Sequence, residues 1–365
     1  MSTIYFCTPT GKRGASSRYR VIQFFPYLNN KLNYVHFSFL DDKTYKLFKS
    51  NKIILTVLRT IFLLLQPLKL LFIVKKNDVV FIHRDIYPFG YFWLERLLKI
   101  KGAKIIFDLD DAIFLEDTSE ITNKKNRLLY KLKYGKRYNS IIKFADLIIC
   151  GNSYLETYCK QYNSNTFILP TVIDLNKVNN ITPNEPIKNT IIFGWIGNPG
   201  NSTYFNKILP LFDEISTLYK TRVIFKCIGG KINYIPSSNF FSVMEVAWSE
   251  EEEYKELSEI DVGIMPLENS EWSKGKCGLK ILQYMSIGKP TIADNVGVNS
   301  TIIEHGVDGF LADHINDWRK YIEFFVKEKR SKLVKEMGLQ AKIKLQDQYS
   351  LQANLKHFEN LLNKL

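Results

Sequence analysis

The stretch from Asp261 to Trp318 reads DVGIMPLENSEWSKGKCGLKILQYMSIGKPTIADNVGVNSTIIEHGVDGFLADHINDW, and the order of its elements decides the fold. An apolar strand, Val262 to Met265, ends at Pro266 and a polar loop. A turn of Gly and Lys follows, Lys274-Gly275-Lys276-Cys277-Gly278. An apolar helix then runs through Leu279, Ile281, Leu282 and Met285 and stops at Gly288-Lys289-Pro290, and Thr291 to Ala293 form a second strand. Strand, glycine turn, helix, strand is a parallel unit whose helix begins at the carboxyl edge of the sheet. Unpaired N–H groups in the first turn and the helix dipole make that edge an anion site. Lys274, Lys276 and Lys280 add charge that suits a diphosphate. The same spacing also describes an ordinary βαβ turn with solvated lysines, because α/β sheets place ligands at this edge whatever the chemistry.

The same alternation extends along the whole chain. Strands are predicted at Thr3 to Cys7, Tyr34 to Phe37, Val79 to His83, Lys104 to Phe107, Leu147 to Cys150 and Thr166 to Leu169. Between them lie helical patterns at Ser17 to Tyr27, Tyr91 to Ile100, Asn123 to Phe144 and Ser153 to Gln161. A polar linker with two prolines, Ile173 to Asn189, separates this half from a restart. The restart has strands at Thr190 to Trp195, Arg222 to Ile228 and Phe241 to Met244, a helix at Phe205 to Leu218, and a helical tail from Asp317 to Leu365. Strands alternating with helices indicate doubly wound parallel sheets, and 365 residues suit two domains. The expected division is 1–178, 190–345 and a terminal helical piece, 346–365.

Five cysteines without paired spacing argue against a disulfide framework or a zinc site. The opening residues read as strand and loop, not as a secretory signal, so a cytosolic protein is expected. The charge is uneven. Residues 1–175 carry 27 Lys/Arg against 14 Asp/Glu, and the remainder carries 23 of each, so the whole excess of +13 lies in the first half. That asymmetry speaks of partners, with an anionic membrane surface and nucleic acid as the two classes. The densest basic run is Lys124, Lys125, Arg127, Lys131, Lys133, Lys136 and Arg137. Lys52 to Lys76 is long enough to suggest a span of about 20 apolar residues, but Arg59, Gln66, Pro67 and Lys69 interrupt it. A helix broken near Pro67 is expected, with core burial and a face on the membrane as its two readings.

Four motifs bear on chemistry. Thr10 to Ser17 follows the first strand; Gly11 and Gly14 let a ligand approach the backbone, Ser16 or Ser17 suits a helix cap, and Arg18 and Arg20 suit phosphate or a solvated first turn. Asp108, Asp110 and Asp111 end a buried strand, where mutual repulsion calls for a bound group or a raised pKa unless the three are helix caps. His83-Arg84-Asp85 imitates a kinase triplet but lacks the Asn and the D-F-G that should follow; Arg84 at the strand end remains a site candidate. Gly194 to Thr203 is a strand and glycine loop in which Gly197 opens the backbone and Ser202 or Thr203 suits a cap. Glu250 to Glu253 reads as a solvated helix start.

These segments together resemble the retaining glycosyltransferases of the GT-B fold, family 4 type. The likeness rests on ASSRYRVIQFFPYL (Ala15 to Leu28), VVFIHRDIYP (Val79 to Pro88), IIFDLDDAIF (Ile105 to Phe114), ADLIICGNSYL (Ala145 to Leu155), LPTVID (Leu169 to Asp174), FGWIGNPGNSTY (Phe193 to Tyr204) and the opening stretch, in order. It implies two Rossmann-like domains facing across a cleft, with the last helix crossing back to the first. It implies a UDP- or GDP-sugar donor, a glycan or lipid-linked acceptor, no nucleic acid, no metal and no cofactor. The enzyme would work peripherally at the inner face of a bacterial membrane, in cell-surface polysaccharide synthesis. The implied donor site takes in Gly11, Gly14, Gly197, Ser202, Trp248, Lys276, Gly278, Leu279, Lys280 and Gln283. Arg18, Arg20 and Arg84 fall on the acceptor side. Asp110 stands where many relatives carry a histidine beside the reacting hydroxyl, with Asp111 as helper. The chain departs from the family at one place. Two glutamates separated by seven residues are the usual signature, and the matching positions are Gly275 and Gln283. A non-catalytic scaffold and a sugar-nucleotide epimerase of the same fold are the other readings.

Overall fold

The computed structural model describes residues 2–28, 31–41, 65–86, 92–115, 137–179, 181, 189–329 and 331–364. The chain divides into two compact units. The first comprises Met1–Thr171, Gly275–Cys277 and Leu355–Leu365; the second comprises Val172–Lys274 and Gly278–Asn354.

The first unit holds a six-stranded parallel sheet in the order β2-β1-β3-β4-β5-β6. Its strands are β1 (Ile4–Thr10), β2 (Tyr34–Leu40), β3 (Val79–His83), β4 (Lys104–Leu109), β5 (Leu147–Cys150) and β6 (Thr166–Ile168). All five side chains of β3 are buried, as they must be in a strand covered on both faces. Helix Trp93–Ile100 packs Leu94 and Leu98 inward, and helix Ser153–Lys160 begins at Asn152, whose side chain accepts the Leu155 N–H at 2.9 Å. Such a cap contributes about 1 kcal/mol. The chain leaves β1 to one side for β2 and returns to the other for β3. The switch point between β1 and β3 is where a parallel sheet opens a crevice at its carboxyl edge.

The second unit repeats the plan with β7 (Thr190–Ile196), β8 (Arg222–Ile228), β9 (Phe241–Val246), β10 (Val262–Met265), β11 (Thr291–Asp294) and β12 (Gly309–Ala312). The order is β12-β11-β10-β7-β8-β9, all parallel. Read from β9, this is the strand order of dinucleotide-binding sheets, with its switch point between β7 and β10. Phe193, Trp195, Phe205, Phe212, Phe225 and Phe325 fill its core.

Several expected elements are interrupted. The predicted helix Ser17–Tyr27 is Ala15–Arg20, then a 3-10 turn and a short helix, because Val21 leaves helical geometry at φ −132°, ψ −60°. The helix from Phe205 is two pieces, Thr203–Asn206 and Leu209–Leu218, with Pro210 in the first turn of the second. The tail is three helices, Ile315–Lys327, Lys332–Lys344 and Leu351–Leu362, with a π turn at Leu345–Tyr349. Strand β12 has no counterpart in the sequence reading. Of the segment Lys52 to Lys76, residues 52–64 lie outside the described residues; the rest bends at Gln66–Lys69 into a short helix, Leu70–Ile73. The N-terminal part of the predicted helix Asn123–Phe144, with the basic run Lys124 to Lys136, also lies outside them, and the described helix is Arg137–Phe144.

Candidate active site

At the carboxyl edge of the second sheet, loops after β7, β8 and β9 meet the helix that follows β10. Gly197 follows β7, and a Cβ there would fall 2.6 Å from the Trp195 ring and 3.0 Å from Lys280 Cε. Gly229, at φ +77°, brings its backbone so close that a Cβ would lie 2.8 Å from the Gly197 carbonyl and 2.9 Å from Trp248 Cβ. Gly278 starts helix Leu279–Ser286 from the left-handed region, at φ +68°, a conformation that favours glycine. The half-buried Leu279 opens the helix. Lys280 in that first turn sets its ammonium 5.4 Å from the centroid of the buried Trp195 ring. Gln283 is one turn further along the same face. Its amide donates to Glu253 Oε1 at 3.0 Å, and Trp248 Nε1 donates to Glu253 Oε2 at 2.6 Å. Open backbone, a helix N-terminus and a lysine held against a π face suit a diphosphate, and the neighbouring polar side chains suit a nucleoside.

The edge of the first sheet is a charged network. Strand register sets His83 beside Asp108, and His83 Nδ1 and Asp108 Oδ2 are 2.6 Å apart. Arg20 binds both oxygens of Asp108 and donates to the Leu169 carbonyl at 2.6 Å. Arg84 bridges the other two acids, with Nε donating to Asp110 at 2.5 Å and Nη2 to Asp111 at 2.6 Å. It does so from φ 62°, a left-handed conformation that costs a non-glycine residue roughly 1 kcal/mol or more and that gathers at functional sites. Ser16 Oγ joins the halves, 2.5 Å from His83 Nε2 and 2.7 Å from Asp110 Oδ2. Burial works against the Asp108 charge, but Arg20 and then His83 outweigh it and hold the carboxyl below its ordinary range. Burial likewise opposes the Asp110 charge, and Arg84, His83 and Arg20 hold that carboxyl far down. The sequence reading of these acids needs correcting here. Arg20 offsets the Asp108 charge and Arg84 offsets those of Asp110 and Asp111, the carboxyls of Asp108 and Asp110 are lowered and not raised, and none of the three caps a helix among the described residues.

The remaining candidates divide between the units. Gly11 and Gly14 belong to the first, where Gly14 is the N-cap of helix Ala15–Arg20 without a side-chain cap. The expected serine caps are absent, because Ser16 turns to His83 and Ser17 to Thr10. Arg18 is buried, 4.9 Å from the Tyr19 ring centroid. Ser202 does not cap its helix either; its hydroxyl accepts the Lys231 N–H at 2.9 Å. Lys276 lies in the Gly275–Cys277 segment grouped with the first unit, and Lys280 lies in the second. Within that segment Asn152 Nδ2 donates to the carbonyls of Gly275 and Lys276 at 3.1 and 3.0 Å. A Cβ on Gly275 would sit 2.5 Å from Ala112 Cβ and 2.7 Å from its nitrogen, so the glutamate usual at this place has no room. Among the described residues, no group of three His, Cys, Asp or Glu side chains is arranged to hold a metal.

Two polar residues went unrecognised in the sequence. His83 falls in the kinase-like triplet, although an apolar strand ending in His beside one ending in Asp is a readable signal. Glu253 falls in a run expected to be solvated, yet it is 3% exposed. Its spacing to the buried Leu257, one helical turn away, marks the inward face.

Residues 194–327 match the model of the family Glycosyl transferases group 1. No curated protein matches the chain. Among solved structures, HepE from Anabaena, crystallised with UDP, aligns over 100% of both chains with a TM-score of 0.67 at 15% identity. A glycosyltransferase from Rickettsia africae aligns over 100% of both with a TM-score of 0.67 at 14% identity. Sucrose-phosphate synthase from Thermosynechococcus elongatus aligns over 100% of this chain and 99% of its own with a TM-score of 0.64 at 11% identity. The chain has the GT-B fold, and the segment that matches the glycosyl transferases group 1 model lies in its second unit.

Proposed function

We propose that this protein is a glycosyltransferase that moves a sugar from a UDP- or GDP-sugar to a hydroxyl of a growing glycan, with retention. The observation that carries this reading is the edge of the second sheet, where Gly197, the start of helix Leu279–Ser286 and Lys280 come together inside the matched family segment. The helix dipole and Lys280 would stabilise the departing diphosphate, the group on which charge develops during transfer. The first unit would hold the acceptor. Asp110, held far below the ordinary carboxylate range, is a weak base; its role is to orient the acceptor hydroxyl, with Asp111, Arg84 and Ser16 fixing its geometry.

The acceptor is proposed to be lipid-linked, with the protein at the inner face of the membrane. No helix among the described residues is long and apolar enough to cross a membrane. Phe72 and Ile100 are 85% and 80% exposed on the first unit, and Lys101 donates to the Val74 carbonyl, tying their two helices together. Apolar side chains among lysines suit shallow insertion at an anionic surface. A donor-binding protein without turnover is the second reading, favoured by the glycine at 275. Incubating the purified protein with UDP- and GDP-sugars, with and without EDTA, tests both. Release of nucleoside diphosphate that persists with EDTA is expected. Binding without release supports the second reading, and neither binding nor release contradicts both.

A further inference from the structure

We propose that His83 and Ser16 form a proton-controlled latch on Asp110, in which a protonated His83 turns the Ser16 hydroxyl onto the carboxylate and a neutral His83 draws it away. The inference rests on the acceptor reading above, because the oxygen that the latch covers is the one that would receive the acceptor hydroxyl. Ser16, His83, Asp108 and Asp110 all belong to the first unit. His83 is fully buried and Ser16 is half-buried, so His83 acts through Ser16 and is a positioning residue.

One end of the imidazole is fixed. Arg20 binds both oxygens of Asp108, whose lowered carboxyl stays ionised and can only accept. Nδ1 of His83, 2.6 Å from Asp108 Oδ2, therefore keeps its proton. Such a bond at one ring nitrogen sets the tautomer and leaves the other nitrogen to gain or lose a proton. That nitrogen, Nε2, is 2.5 Å from Ser16 Oγ and 3.9 Å from Asp110 Oδ1.

Ser16 has one proton to give and two neighbours that can take it. Its Oγ also lies 2.7 Å from Asp110 Oδ2. Arg84 holds Asp110 Oδ1 together with Asp111, and the Asp110 carboxyl, far below its ordinary range, is an acceptor as well. When Nε2 carries a proton it donates to Oγ, and the Ser16 proton goes to Asp110. When Nε2 is bare it takes the Ser16 proton, and Oδ2 faces a serine oxygen with no proton between them. Two acceptors so placed are unfavourable until a donor arrives, and an acceptor hydroxyl is such a donor. The neighbouring titratable groups do not compete. Asp85 accepts from Tyr138. Cys150, through its hydrogen bond with Cys159 and burial, and Cys277, through burial, are held as neutral thiols.

Two measurements on the full chain test the latch. The first is long-range proton–nitrogen NMR of protein carrying nitrogen-labelled histidine, from about pH 5 to 9, around the span where histidine ordinarily changes charge. Replacing His36, His305, His314 and His357 in turn identifies the His83 signals. Nδ1 should stay protonated throughout, and Nε2 alone should titrate. In Ser16→Ala the Nε2 midpoint should fall by roughly half to one pH unit, because the cation loses its charge-assisted path to Asp110. The second is release of nucleoside diphosphate from UDP- and GDP-sugars with water as the acceptor. Release should fall about tenfold per pH unit below the Nε2 midpoint, the slope of one proton. Ser16→Ala has no hydroxyl to cover Oδ2, so its release should change less than about twofold over that range. Ser16→Thr keeps the hydroxyl and should restore the slope, whereas a merely structural serine would alter the rate and leave the slope alone. Thermal unfolding of each variant checks folding, and Ser16→Gly replaces Ser16→Ala if the latter does not fold. An Nε2 that stays protonated at every pH, a midpoint unmoved in Ser16→Ala, or an acid slope that persists in it would overturn the latch. If the parent releases no nucleoside diphosphate, the transferase reading fails and the NMR result alone decides the latch.

Discussion

At the carboxyl edge of the first sheet, Arg20 pairs with Asp108 and Arg84 with Asp110 and Asp111, and His83 is within hydrogen-bond distance of Asp108. At the edge of the second, the corresponding ground is held by Gly197, Gly229, a helix N-terminus and Lys280 against an indole. Both edges arise from the same switch-point geometry. A charged ligand entering the first must compete with pairs already made, and one entering the second meets backbone dipoles already aimed at it. The fold supplies the location twice, and under the proposed function the side chains assign the anion to the second edge and the neutral hydroxyl to the first.

The largest expected effect falls on the first edge. Asp108→Asn leaves Arg20 buried without its carboxylate, and unfolding free energy should drop by about 3–5 kcal/mol in denaturant titration. The folded-state values of Asp108 and Asp110 are depressed. Their stabilisation is therefore complete above the unfolded value of about 3.9 and is lost as pH falls through the folded values. The variant should show a shallower acid limb. A change within the usual surface range of about 0.5 kcal/mol would mean the network is not structural.

On the second edge, Lys280→Ala should weaken UDP or GDP binding about 10- to 100-fold, the scale of a charge-assisted hydrogen bond, with the ligand-free melting temperature little changed. Lys276→Ala provides the comparison, because Lys276 stands two residues before Gly278, the N-cap of the same helix. A larger loss there would make Lys276 the main phosphate contact. The smallest effect concerns the first unit's surface. Replacing Phe72 and Ile100 with serine should lower binding to anionic vesicles about tenfold, since shallow insertion recovers only part of the roughly 1.5–3 kcal/mol that full burial of each apolar side chain supplies. Unchanged flotation with the vesicles would assign the exposed pair no membrane role.

Much of the scaffold was legible because parallel strands are apolar on both faces. Val79–His83, Leu147–Cys150 and Val262–Met265 have the bounds their composition predicts. The helix breaks were not legible, since the apolar period continues across Val21, Ile208 and the π turn at Leu345–Tyr349 while the backbone departs from it. β12 is four residues at a sheet edge, too short for alternation to register. In the sites, single residues were readable and their partners were not. Asp110 is conspicuous in sequence, but its commitment to Arg84 and Ser16 depends on two other segments. Gln283 stands out by its place in the helix, but the Glu253 it donates to belongs to an acidic run that looks solvated.

The central claim is that the second sheet's edge binds the diphosphate of a nucleotide. Thermal unfolding with UDP and GDP beside the matching nucleosides, on the parent and Lys280→Ala, tests it most directly. A ligand that binds only the folded state stabilises by about 2.7 kcal/mol at 100 times its Kd. The account predicts a rise in Tm with one nucleoside diphosphate, a much smaller rise with its nucleoside, and loss of that difference in Lys280→Ala. No shift with either diphosphate, or equal shifts with diphosphate and nucleoside, would contradict it.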